Sequence, residues 1–136
     1  MKWVLLVLGG LIVIGAVVSQ QKKEDEEKAV AQGASSAIEV SASQLEVDYR
    51  TNEVSADAKY RGKVLRVTGT VDAIKKGISD DPYVTLKTGE MFNDVHANFE
   101  DEGTLGTLHP GQRISVRCIG DNVIMGSPML KRCVLE

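Results

Sequence analysis

From Leu65 the chain alternates. Leu65, Val67, Gly69, Val71 and Ala73 fall on one face and Arg66, Thr68, Thr70 and Asp72 on the other, a period of two that predicts a long strand with one face buried. Gly69, in the middle of that strand, predicts a sharp coil or a bulge of the kind that closing a small barrel requires. Lys75-Lys76-Gly77 and Ser79-Asp80-Asp81-Pro82 supply turn chemistry. A second strand follows over residues 83–87, with Val84 and Leu86 inward and Tyr83, Thr85 and Lys87 outward. Beyond the Thr88-Gly89-Glu90 turn, Val95, Ala97 and Phe99 form the inner side of a third strand whose outer side carries His96 and Asn98. Residues 100–110 break the pattern, and Leu105 and Leu108, three apart, predict one turn of helix that plugs the barrel. Pro110-Gly111 opens a fourth strand in which Ile114, Val116 and Cys118 alternate with Arg113, Ser115 and Arg117. Gly120-Asp121-Asn122 reads as a turn, and the last strand lies within residues 128–135.

Upstream of the strands the period lengthens. Ser43-Gln44-Leu45-Glu46 has the capping-box form that starts a helix, and Leu45, Tyr49, Asn52 and Ala56 continue it as one stripe until Gly62 stops it. Asn52, the polar member of the stripe, is expected to be a buried amide bonded to a neighbouring strand. The fold class is therefore mainly β with an N-terminal α-helix. Five strands, the first long and bent, with a helix between the third and fourth, give the order of a five-stranded OB-fold, a partly open Greek-key barrel, over residues 43–136.

The amino-terminal third is different. Residues 3–18, from Trp3 to Val18, are uncharged and apolar, flanked by Lys2 and by Lys22-Lys23. At about 1.5 Å per residue they reach about 24 Å, short of a hydrocarbon core of about 30 Å unless snorkelling lysines complete the span. Residues 1–20 are read as a single-pass transmembrane anchor, with a signal sequence cleaved after Val17-Val18-Ser19 as the alternative. Residues 21–42, rich in Gln, Lys, Glu, Ala and Ser and lacking aromatics, read as a flexible polar linker. Lys22, Lys23 and Lys28 against Lys2 weakly favour a cytoplasmic domain by the positive-inside rule, while the cysteines favour the opposite side.

The helix-to-strand junction carries a family resemblance. Tyr49, Asn52-Glu53-Val54, Ala56-Asp57-Ala58-Lys59-Tyr60, Gly62-Lys63-Val64-Leu65 and Val67-Thr68-Gly69-Thr70-Val71, then Gly111-Gln112, Cys118, Gly120 and Cys133, resemble the tRNA_anti-like family over residues 45–135. The resemblance implies a small OB-fold domain of bacterial membrane-anchored or exported proteins. The family name reflects likeness to anticodon-binding domains, so it does not by itself imply tRNA binding. Many members look like lipoproteins, but no cysteine precedes Cys118, so a lipid anchor does not carry over.

Composition narrows the function. Of 136 residues, 16 are Lys or Arg and 19 Asp or Glu, for a net charge of −3, so nucleic acid gains no long-range attraction. Two cysteines without C-x-x-C spacing exclude a zinc ribbon or thioredoxin-like centre. Cys118 and Cys133 fall on segments that the barrel order brings together. They form either a disulfide or two buried thiols, and the export-like start favours the disulfide. His96 and His109 lack partners at ligand spacing, and Asp80-Asp81 and Glu100-Asp101-Glu102 lack the glycine turn of a calcium loop, so no metal and no cofactor are expected. No catalytic motif is present. The expectation is a non-enzymatic binding module of the bacterial cytoplasmic membrane, facing the periplasm or exterior, or secreted after signal cleavage. Its face would present Tyr83, Thr85, Lys87, His96 and Asn98 to an unknown protein or small polar ligand. Binding of single-stranded nucleic acid, supported by fold analogy and by Arg66, Arg113 and Arg117, is the alternative.

Overall fold

The strand that starts at Val64 runs for 13 residues, Val64–Lys76, and alternates as far as Val71, in a computed structural model that describes residues 36–136. The apolar run of residues 3–18 and the linker as far as residue 35 lie outside the described residues. In chain order the elements are β1 (Ile38–Ser41), α1 (Ala42–Thr51), α2 (Glu53–Tyr60), β2 (Val64–Lys76), β3 (Pro82–Leu86) and β4 (Val95–Phe99). A 3-10 turn (Gly103–Thr107), β5 (Arg113–Ile124) and β6 (Ser127–Leu135) complete them. Among the described residues no helix is long and apolar enough to cross a membrane.

β2 carries the architecture because its two halves serve different neighbours. Val64 to Thr70 pair with β5, and Val71 to Lys76 pair with β3, with a bulge between Val71 and Ala73. The circuit β2-β3-β4-β6-β5 returns to β2, so the five-stranded barrel is closed and not partly open, in an order consistent with an OB-fold. Val67, Val71, Val84, Val95 and Val116 are wholly buried inside it. Leu105, on the 3-10 turn, is buried and joins the same core.

A sixth strand corrects the expected count. β1 runs parallel to β2 from Ile38 opposite Leu65 to Ser41 opposite Thr68, on the edge that β5 leaves free. Ile38 and Val40 pack against the core, so the folded unit begins at Ser36 and the end of the stretch read as linker belongs to it. Four residues between a polar tract and a helix are too few to show a period.

The helical part is also rearranged. Ser41, not Ser43, is the cap, its hydroxyl accepting from the Gln44 amide at 3.1 Å. Glu46 is buried and lies 3.0 Å from Arg50 instead of reaching back. Asn52 is exposed, not a buried amide. It ends α1 in an extended conformation and starts α2, its side chain accepting from Ser55 at 3.0 Å. Tyr49 donates to Asp57 at 3.1 Å and Tyr60 donates to Asp48, so each helix holds a tyrosine of the other. Burial, and then the carboxylate partner, raise both tyrosine hydroxyls well above their ordinary range.

Three glycine and turn expectations shift. Gly69 is not the bulge. A Cβ there would sit 3.0 Å from that of Ala42 and 3.2 Å from that of Leu86, so the glycine admits α1 against the barrel. Gly120 is not in a turn but inside β5, where its carbonyl accepts from Gly62 at 2.9 Å and its amide donates to Lys63 at 3.0 Å. The hairpin turns at Met125-Gly126, both at positive φ (51° and 86°), the conformation that suits a two-residue connection.

Cys118 and Cys133 are joined in a disulfide between β5 and β6. A bulge makes this possible: the register shifts between Arg117 and Ile119, and Arg132 adopts φ 51°. Leu130 and Cys133 are buried with Lys131 and Arg132 exposed between them, so the extra residue turns the cysteine inward.

Candidate functional site

β3 and β4 pair antiparallel with Tyr83 opposite Asn98 and Thr85 opposite His96, so these four side chains share one outer face. Tyr83 and His96 stack across it with ring centroids 5.3 Å apart and planes 14° apart. Thr85 is 8% exposed although it faces outward, in the lining of an open cavity of about 250 Å³ to which β2 contributes Asp72, Ala73 and Lys75 and the loop before β4 Met91, Phe92 and Asp94. Its hydroxyl has no hydrogen-bond partner among the described residues. Buried polar groups are rarely left unmatched, and this one belongs to a residue that lines a space large enough for a ligand group.

Two carboxylates line the same cavity. Asp72 comes from β2 and Asp94 from the residue before β4, close enough for their carboxyls to share a proton when Asp94 is protonated. Burial first, and then the Asp72 carboxyl, push Asp94 up to about 6, while Lys87 pulls weakly the other way. Burial lowers His96, so its ring is neutral at pH 7. Met91 and Phe92, 83% and 86% exposed, stand at the rim as large apolar side chains in solvent.

Of the five residues expected on this face, Tyr83, Thr85 and His96 meet in the cavity. Lys87 stands exposed beyond it, acting on Asp94 through charge. Asn98 is engaged elsewhere, its amide donating to the Leu130 carbonyl at 3.1 Å to tie β4 to β6. Asp72, Asp94 and Phe92 were missed. An aromatic residue within a segment of turn composition was the one available signal for Phe92, since a ring in a solvated loop needs a reason. The arginines proposed for nucleic acid are largely neutralised: Arg66 lies 3.1 Å from Glu39 and 3.0 Å from Glu136, and Arg117 lies 3.3 Å from Glu136.

The carboxyl pair makes a stability test. Because the folded protein holds the Asp94 proton more firmly than the unfolded chain (about 6 against 3.8), that stabilisation is complete below pH 3.8 and lost as pH rises through about 6. Asp94→Asn is therefore expected to stabilise the full chain at pH 7.5 by about 1 kcal/mol, after discounting for solvent screening, and to leave it nearly unchanged at pH 3.5. Urea unfolding at the two pH values checks this. An equal difference at both would show that the pair does not repel.

The tRNA_anti-like family model matches residues 1–134. This chain belongs to the tRNA_anti-like family. A crystal structure similar to this tRNA_anti-like protein is that of a lipoprotein from Klebsiella pneumoniae, to which nucleic acid binding is attributed. It aligns with a TM-score of 0.61 at 20% identity, covering 76% of this chain and 94% of that one. At that identity the likeness carries the fold. In all, 82 chains of solved structures match, so the barrel alone does not choose a ligand for the tRNA_anti-like domain. No curated protein matches it.

Proposed function

We infer that this tRNA_anti-like protein is a non-enzymatic binding module of the bacterial envelope, which captures its ligand on the outer face of β3 and β4. The observation that carries the inference is Thr85, 8% exposed and with a buried, unpartnered hydroxyl, in the lining of a cavity beside the stacked Tyr83 and His96 rings. A ligand group that bonds this hydroxyl would relieve its burial and meet an aromatic platform at once. Support for the envelope comes from the Cys118–Cys133 disulfide, which oxidising compartments favour, and from the apolar run of residues 3–18, which we read as a single-pass anchor in the cytoplasmic membrane. The alternative of signal cleavage leaves the binding reading unchanged.

The test is a titration of the full chain, in neutral detergent, with a library of small polar molecules and short peptides, read by ring resonances in NMR. Binders are expected to move Tyr83 and His96 while leaving His109 in place, and Tyr83→Ala with Thr85→Val is expected to weaken them at least about tenfold. Movement confined to residues outside this face would overturn the assignment. The second reading, single-stranded nucleic acid, is favoured by the activity attributed to the Klebsiella pneumoniae lipoprotein. It requires affinity for oligothymidylate that falls steeply with salt, and absence of binding at low salt would end it.

A further inference from the structure

We propose that the cavity between β2, β3 and β4 recognises an organic cation, a guanidinium of the kind carried by arginine. This rests on the assignment of that face as the binding surface and names the chemistry it selects.

Four observations converge. Asp72 and Asp94 line one cavity as interacting carboxyls, and among the described residues neither lies in an ion pair with a lysine or arginine, in a molecule where Asp48, Asp57, Glu39 and Glu136 all do. Thr85, whose Oγ1 is buried and unpartnered, lines the same space. Tyr83 and the neutral His96 provide stacked π systems, against which a planar cation is attracted. Met91 and Phe92 at the rim supply apolar surface for a methylene stem.

A guanidinium answers all four. Its forked N–H groups match two adjacent carboxylates, a further N–H can be accepted by Thr85 Oγ1, and its plane can lie on the rings. Rival ligands answer fewer. A phosphate would be repelled by the carboxyl pair. A hard divalent cation wants about six or more oxygen ligands, and among the described residues no three His, Cys, Asp or Glu side chains gather as such a group.

Protonation supplies a signature. The titratable groups that line the cavity with Asp94 are Asp72 and Lys75 from β2, Tyr83 from β3 and the neutral His96 from β4, and Lys87 acts on Asp94 from beyond it. With Asp94 titrating at about 6, a bound cation must displace its proton in acid, so affinity is expected to be about tenfold weaker at pH 5 than at pH 7.

The experiment uses the full chain labelled on its two histidines, in neutral detergent, observed by NMR. Agmatine and an acetylated Gly-Arg-Gly amide are compared with butylurea, a planar but uncharged analogue, with magnesium and with oligothymidylate. The expected result is a saturable shift of His96, not of His109, with agmatine, with the peptide or with both. Asp72→Asn and Asp94→Asn should each reduce it at least tenfold. Response to the peptide alone would place the guanidinium on a protein partner, and equal response to agmatine would place it on a small molecule. Butylurea binding as well as agmatine, or a His96 response to magnesium or oligothymidylate alone, would overturn the proposal while keeping the face as a binding surface. No response at His96 to any cation would also overturn it. The broader assignment falls separately, only if the polar library too leaves Tyr83 and His96 unmoved.

Discussion

Gly120→Ala is expected to be the most damaging single-methyl change in this domain. A Cβ built there would stand 2.2 Å from the carbonyl oxygen of Tyr60 and 2.9 Å from its carbonyl carbon, both backbone atoms that no rotamer change can withdraw. Moving them means moving the end of α2, whose junction with β5 is held by the Gly62–Gly120 and Gly120–Lys63 hydrogen bonds. Overpacking usually costs about 1–3 kcal/mol, and a clash with fixed backbone belongs at or above the top of that range. Against a typical total of about 5–15 kcal/mol, about 3 or more is a large share. Gly89→Ala is the control, because nothing lies within 4 Å of the added atom and its φ is not positive. Urea unfolding should separate the two variants by most of that amount. Equal midpoints would mean that α2 does not rest against β5 as described.

Removing the disulfide is the second large effect. Cys118 and Cys133 are separated by 15 residues, and closing such a loop stabilises by about 3 kcal/mol in the chain-entropy picture. Both are buried, 1% and 4% exposed, so alanine at both positions is the cleaner test, since serine would also bury two hydroxyls. The unfolding midpoint of the wild-type chain should fall in reductant, whereas the double alanine variant should start low and stay there. A wild-type midpoint indifferent to reductant would remove the bond from the account of stability. Alkylation of the native protein with and without prior reduction gives the oxidation state directly.

What the sequence could disclose was set by how local each feature is. The inward sets Leu65-Val67-Val71 and Val95-Ala97-Phe99 were legible because a period of two needs only neighbouring positions, and all six are buried. The same alternation put Tyr83, Thr85 and His96 on one outer face. β1 was not legible, and neither was the break at Asn52: polar residues interrupt helices as caps as readily as they decorate them, and only the chain's path distinguishes the two. The bulge at Arg132 defeats alternation outright by shifting the inward position by one residue, which is why Cys133 faces the core. The carboxyl pair was hidden for a different reason. Asp72 lies on β2 and Asp94 in the loop before β4, each ordinary in its own surroundings, and their chemistry arises only when the barrel brings them together.

β1 has a consequence beyond the count of strands. A closed barrel offers no open backbone to a passing chain, yet among the described residues β1 is the outermost strand and restores one such line of amides and carbonyls. That line is only four residues long, Ile38–Ser41, and Glu39 stands on it 75% exposed at its side chain. A strand from another molecule would gain few bonds there and would meet a carboxylate while doing so. The domain can therefore be crowded against copies of itself with little tendency to grow into extended sheets.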